Sequence, residues 1–195
     1  MPLTLSQIVV PNDEPVSLDE MKRHLRVTID NDDLLIFGMI QAAREHLEVV
    51  TRRQFLTATW VYALDAFPAS NSIALPRPPL QSISLVEYLD SNNIRQVLTL
   101  DTDYGIDTLS EPGRLYLLPN KTWPVTYEVP SAVKITYVSG WSSAALVPSG
   151  LKQLIYLLVG HFYEHREAAV SGEGVQSIPF GVQMLLWNYR LVGMF

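Results

Sequence analysis

The stretch richest in chemistry-capable side chains is His161-Phe-Tyr-Glu164-His165. It matches H-x-x-E-H, the inverzincin zinc-peptidase pattern, and puts two imidazoles one helical turn apart with a carboxylate between them. A catalytic zinc also needs a third protein ligand and an open position for water. Only Glu167 or Glu173 follows as a candidate, and neither sits on an obvious second helix. So short a pattern recurs by chance, so the preferred reading is a core helix whose polar end emerges into solvent. No metal or cofactor is expected.

Other constellations are weaker still. Asp101-Thr-Asp103 with Asp107 lacks the glycine and the terminal bidentate glutamate of an EF-hand loop, and reads as a solvated turn. No G-x-S-x-G, P-loop or G-x-G-x-x-G occurs. His24 and His46 fall on helices without a neighbouring nucleophile. Trp60, Trp123, Trp141 and Trp187 are spread over different elements, which favours packing in a core or an interface over a stacking platform. Nothing argues for catalysis, and the chain is expected not to be an enzyme.

Composition narrows the class. With no cysteine among 195 residues, disulfides and thiolate metal sites are excluded. Charged residues make up only 17%, against about 25% in an ordinary soluble domain. Low charge with 48% apolar residues fits a chain that covers part of its surface with other subunits. The net charge of −6 is spread along the chain, with nine acids and six bases in residues 1–57 and eight and five in 58–148. Without a Lys/Arg stripe, tight binding to nucleic acid phosphates is not expected. The N-terminus has no basic region leading into a long apolar run, so no signal peptide is expected. The longest apolar run is about half of the roughly twenty residues that span a bilayer, so a soluble product is expected.

The elements that must position these residues centre on Pro148 to Ala169. Pro148 and a Ser149 N-cap open a helix with Leu151, Leu154, Ile155, Leu158, Val159 and Phe162 on its buried side. Gly160 within it would let another backbone come close. Before it, residues 1–15 read as an extended arm. Ser17-Leu-Asp-Glu20 is a capping box, opening a first helix to about Arg26. A second helix runs from about Asp32 to Arg53 on the stripe Ile36, Ile40, Ala43, Leu47 and Val50.

After Phe55 the period shortens to two. A strand follows at Trp60–Ala66, then a polyproline-type edge crossing at Pro76–Pro79. A hairpin turns at Asp90-Ser-Asn-Asn93, and a second turns at Glu111-Pro-Gly113, with Gly113 available for positive φ. Ala132–Val138 is one more strand. Val170–Ser177 contains two glycines and reads as a mobile loop before a last amphipathic helix, Pro179–Arg190. The fold class is α+β: a bundle of about four helices, with a small antiparallel β domain inserted between helices two and three. The boundaries fall at 1–57, 58–148 and 149–195, the first and third forming one helical domain.

Particular stretches go further. Val16-Ser-Leu-Asp-Glu-Met-Lys-Arg-His-Leu-Arg26, Asp30-Asn-Asp-Asp33 and Ala42-Ala43-Arg44 resemble the opening of the head–tail connector (adaptor, or head-completion) proteins of tailed bacteriophages and prophages. Leu75-Pro-Arg-Pro-Pro-Leu-Gln-Ser82, Glu111-Pro-Gly-Arg114 and Leu158-Val-Gly-His-Phe-Tyr-Glu164, then Arg166-Glu167, continue it in the same order. In that family the position after Tyr-Glu is variable, so His165 and the zinc pattern look accidental.

The resemblance implies a structural virion protein at the head–tail junction, assembled in the host cytoplasm. It implies a ring, commonly of twelve subunits, below the portal protein, extending the DNA channel and offering a surface to the next head- or tail-completion protein. An acidic, base-poor chain suits a lumen through which DNA slides without specific binding. Neither a membrane partner nor a cofactor is implied. The loop and last helix are the expected portal or subunit interface, through Val175, Ile178, Phe180, Val182, Leu186, Trp187, Tyr189 and Arg190. The alternatives are another phage neck or tail-completion protein, and a zinc-dependent hydrolase using His161, Glu164 and His165.

Overall fold

A computed structural model describes residues 4–165 and 180–191. Among the described residues, four α-helices and eight antiparallel strands make the fold mixed α+β. The chain divides into two compact units, residues 1–11 with 57–141 and residues 12–56 with 142–194. No helix among the described residues is long and apolar enough to cross a membrane.

The first unit is a pair of sheets. Strands β1 (Thr4–Val9), β2 (Ala58–Leu64), β4 (Leu80–Leu89), β5 (Arg95–Leu98) and β8 (Val133–Ser139) form one sheet in the order β1-β2-β8-β4-β5. Strands β3 (Ser72–Ala74), β6 (Tyr104–Asp107) and β7 (Arg114–Leu117) form the other, in the order β3-β7-β6. The N-terminal arm is therefore a strand of the larger sheet, with Leu5 opposite Tyr62 and Gln7 opposite Trp60. Strict alternation on β8 sends Val133, Ile135, Tyr137 and Ser139 inward. There they meet Trp60, Ile83 and Val86 from the same sheet, and Ile73, Leu115 and Tyr104 from the other.

Both expected hairpins form. In the first, Asp90 Oδ1 accepts the backbone N–H groups of Asn92 (2.9 Å) and Ile94 (3.0 Å), an Asx turn that fixes the register of β4 and β5. In the second, Gly113 is needed for space rather than for positive φ. A Cβ there would collide with Leu80, and its carbonyl accepts Leu75 N–H at 2.8 Å. The proline stretch is not an exposed edge: Pro76 and Pro78 are buried, and Pro76 O accepts the Tyr137 hydroxyl at 2.8 Å.

The second unit holds the four helices, α1 (Leu18–Leu25), α2 (Asp33–Thr51), α3 (Ser149–Glu164) and α4 (Phe180–Tyr189). Ser17 caps α1 reciprocally: its Oγ accepts Glu20 N–H, and Glu20 Oε2 accepts Ser17 N–H at 2.9 Å. Those bonds from Ser17 hold the Glu20 carboxyl below its ordinary pKa. Ile36, Ile40, Ala43 and Leu47 are fully buried along α2, while Val50 lies at the margin of that stripe. Leu151, Leu154, Ile155, Leu158 and Val159 bury one side of α3. Its opposite side stays half-exposed, so α3 is less enclosed than its apolar run implies.

Two local expectations for α3 are corrected. Pro148 occupies the N-cap and Ser149 is already helical, with no side-chain cap bond. Gly160 admits no second backbone. The nearest atom to a Cβ built there is His24 Nε2 at 3.8 Å, an ordinary contact. Gly160→Ala should therefore stabilise the protein by about 0.5–1 kcal/mol through helix propensity alone. A raised denaturant midpoint with unchanged slope would show it; a lowered midpoint would mean the site has less room than the structure gives it.

Candidate assembly surface

The histidine pair closing α3 comes together. The His161 and His165 rings lie 4.7 Å apart, tilted by 40°. Among the described residues no group of three His, Cys, Asp or Glu side chains could hold a metal ion, so Glu164 does not complete a set with the two rings. Glu167 and Glu173, the proposed third ligands, lie outside the described residues. Asp103 and Asp107 are committed to neighbouring protein groups. Asp103 accepts Thr99 N–H and the Lys121 ammonium, at 2.9 and 3.0 Å. Asp107 accepts the Ser110 hydroxyl and backbone N–H and the Arg114 guanidinium, and those bonds from Ser110 foremost hold its carboxyl at about 2.

What remains is surface; it exposes apolar side chains in both units, Leu109 and Val125 in the β unit and others on α2 and α4. On α4, Val182 is 2% exposed and turned into the helical unit. Tyr189 lies on the same side, its ring against Gly150, and its carbonyl accepts Arg53 Nε at 2.7 Å. Leu186 is half-buried. These three anchor the helix. Val182, expected at an interface, is a core residue. The opposite side carries Met184, 59% exposed, and Trp187, 64% exposed, with the Arg190 guanidinium 5.8 Å from the indole centroid. Of the residues expected at an interface, Trp187 and Arg190 thus face outward. Val175 and Ile178, like the Phe180 side chain, lie outside what the structure describes. Met184 was missed; its three-residue spacing from Trp187 was the available signal.

On α2 the outward side also carries large exposed apolar residues, with Gln41 among them. Leu34 is 89% and Val49 63% exposed. Between them Gly38 has no atom within 4 Å of a built Cβ, and Ala42 is exposed. Glu45, 68% exposed, is the lone carboxylate in that stretch, 3.5 Å from Arg44. A solvent-facing helix side ordinarily carries more charge than this one. The other tryptophans behave as packing residues: Trp60 is buried, and Trp123 stacks on Phe67 at 4.8 Å and donates to Ser70 O.

Residues 15–99 match the family model described as Phage gp6-like head-tail connector protein. No curated protein matches. Among solved structures, a chain in the neck of an empty GTA particle computed with C6 symmetry matches at TM-score 0.80 and 20% identity, over 98% of this chain and 97% of that one. A chain in the virion of a native gene transfer agent (GTA) particle matches at TM-score 0.78 and 19% identity, over 98% and 97%. A third, from the neck of a native GTA particle computed with C12 symmetry, matches at TM-score 0.74 and 20% identity, over 100% and 98%. At 19–20% identity, the structural matches share the fold of this chain.

Proposed function

We propose that this protein is a structural neck subunit of a phage-like particle, a head–tail connector that forms a homo-oligomeric ring below the portal and extends the DNA channel. The observation that carries this reading is the connector-family match over residues 15–99, on a fold shared along the whole chain with neck proteins of symmetric particles. The strands between α2 and α3, joined by β1 from the N-terminal arm, are read as the inserted β domain, and the four helices as one helical domain of the ring subunit. Apolar outward sides on α2 and α4, together with a low charge content, support extensive contacts with other subunits. The lumen carries DNA without gripping it, in keeping with a net charge of −6.

Portal above and the next completion protein below are the proposed neighbours in the virion. Removing residues 170–195 is a poor test of portal contact, because Val182 and Tyr189 would be lost from the helical unit with them. Light scattering after size exclusion, on the intact chain alone and mixed with its portal, is the direct experiment. Association with the portal is the expected result; indifference to it would count against the connector role.

A further inference from the structure

We propose that the outward side of α4 docks on the outward side of α2 of the next copy of this chain, so that this pairing is the lateral contact of the ring. The assignment rests on the ring reading above and names the surfaces it uses.

Shape is the first argument. Gly38 leaves a gap on α2 between the taller Leu34 and Val49, flanked by exposed Ala42 and Gln41, where a second helix can approach. Met184 and Trp187 form the complementary ridge on α4, on the side away from Val182. Tryptophan and arginine are the residue types that most often anchor protein interfaces. Here Trp187 stands largely in solvent with Arg190 beside it.

Charge is the second. Glu45 lies one turn from Ala42 on α2, and Arg190 lies one turn beyond Trp187. Gly38 to Glu45 and Met184 to Arg190 each span about 10 Å along a helix. With Met184 and Trp187 over Gly38 and Ala42, Arg190 therefore falls beside Glu45. The exposed charge on the α2 side is Glu45 and that on the α4 side is Arg190, so only the unlike pairing joins opposite charges. The favoured contact is between unlike surfaces, and a contact of that kind generates a ring when its rotation closes.

Four single variants of the intact chain and one double variant test this, by light scattering and negative-stain imaging at matched concentrations, with circular dichroism to confirm the fold. Glu45→Arg and Arg190→Glu should each weaken self-association roughly tenfold or more, and the double variant should recover much of the loss. Gly38→Leu should block the approach, and Trp187→Ala should remove the anchor. Rings from all four folded single variants at the wild-type concentration would overturn the surface while leaving the ring reading intact. Variants that keep the ring but lose the portal would also overturn it, giving the α4 side to the portal. A wild-type chain that assembles neither alone nor on its portal would remove both the surface and the reading beneath it.

Discussion

Arg44→Ala should cost the helical unit about 3–5 kcal/mol, because it strands buried carboxylates without a counter-charge. The Arg44 side chain is 8% exposed; its Nε donates to Glu14 Oε2 at 2.8 Å and its Nη1 to Glu48 Oε2 at 3.1 Å. Both glutamate side chains are themselves only 8% exposed. Burial alone would disfavour the guanidinium, but the carboxylates of Glu14, Glu48 and Glu45 more than offset it, and its pKa is raised. Glu48 has further work: its Oε1 accepts Gln54 Nε2 at 2.8 Å and Phe55 N–H at 2.9 Å. The cluster thus joins the segment before α1, the middle of α2 and the chain leaving it. Denaturant unfolding measures the loss, and hydrogen exchange should place it at α2 and Phe55. A change below about 1 kcal/mol would mean the carboxylates find water or protons at little cost.

Tyr137→Ala should cost the β unit a similar 3–5 kcal/mol, the range for deleting a large buried aromatic. Tyr137 is fully buried on β8, opposite Trp60 on β2 and Ile83 on β4. Burial pushes its phenol pKa far up, so the hydroxyl stays a donor to Pro76 O at any working pH. Tyr137→Phe separates the two contributions. It keeps the ring and leaves the buried Pro76 carbonyl without that donor, for an expected loss of about 1–2 kcal/mol. Equal losses for Tyr137→Ala and Tyr137→Phe would contradict the packing account. Heightened exchange should appear in β2, β4 and β8 for the alanine variant.

The difference between what was legible in the sequence and what was not follows the range of the forces involved. The Ser17–Glu20 box, the α2 stripe and the Asp90 turn are set by neighbours within a few residues, and each formed as expected. Strand β1 has no local turn to announce it; its place depends on pairing with β2, more than fifty residues away. Gly113 was a turn residue by local logic, yet Leu80, a distant residue, explains it. The Arg44 cluster was invisible because a charged residue on a helix is ordinarily read as solvated.

The candidate surface shows the same limit. Helix α4 is apolar around most of its circumference, so periodicity could not separate Val182, Leu186 and Tyr189, which hold it down, from Met184 and Trp187, which face out. The family resemblance was legible because it rests on the order of several stretches, and the match over residues 15–99 supports it.

Imaging by negative stain of the size-exclusion peak, alone and with portal present, tests the central claim most directly. The account predicts closed rings of this chain, formed free in solution or on the portal, with mass from light scattering to match a closed symmetric assembly. A folded monomer that stays monomeric at high concentration and ignores the portal would contradict it.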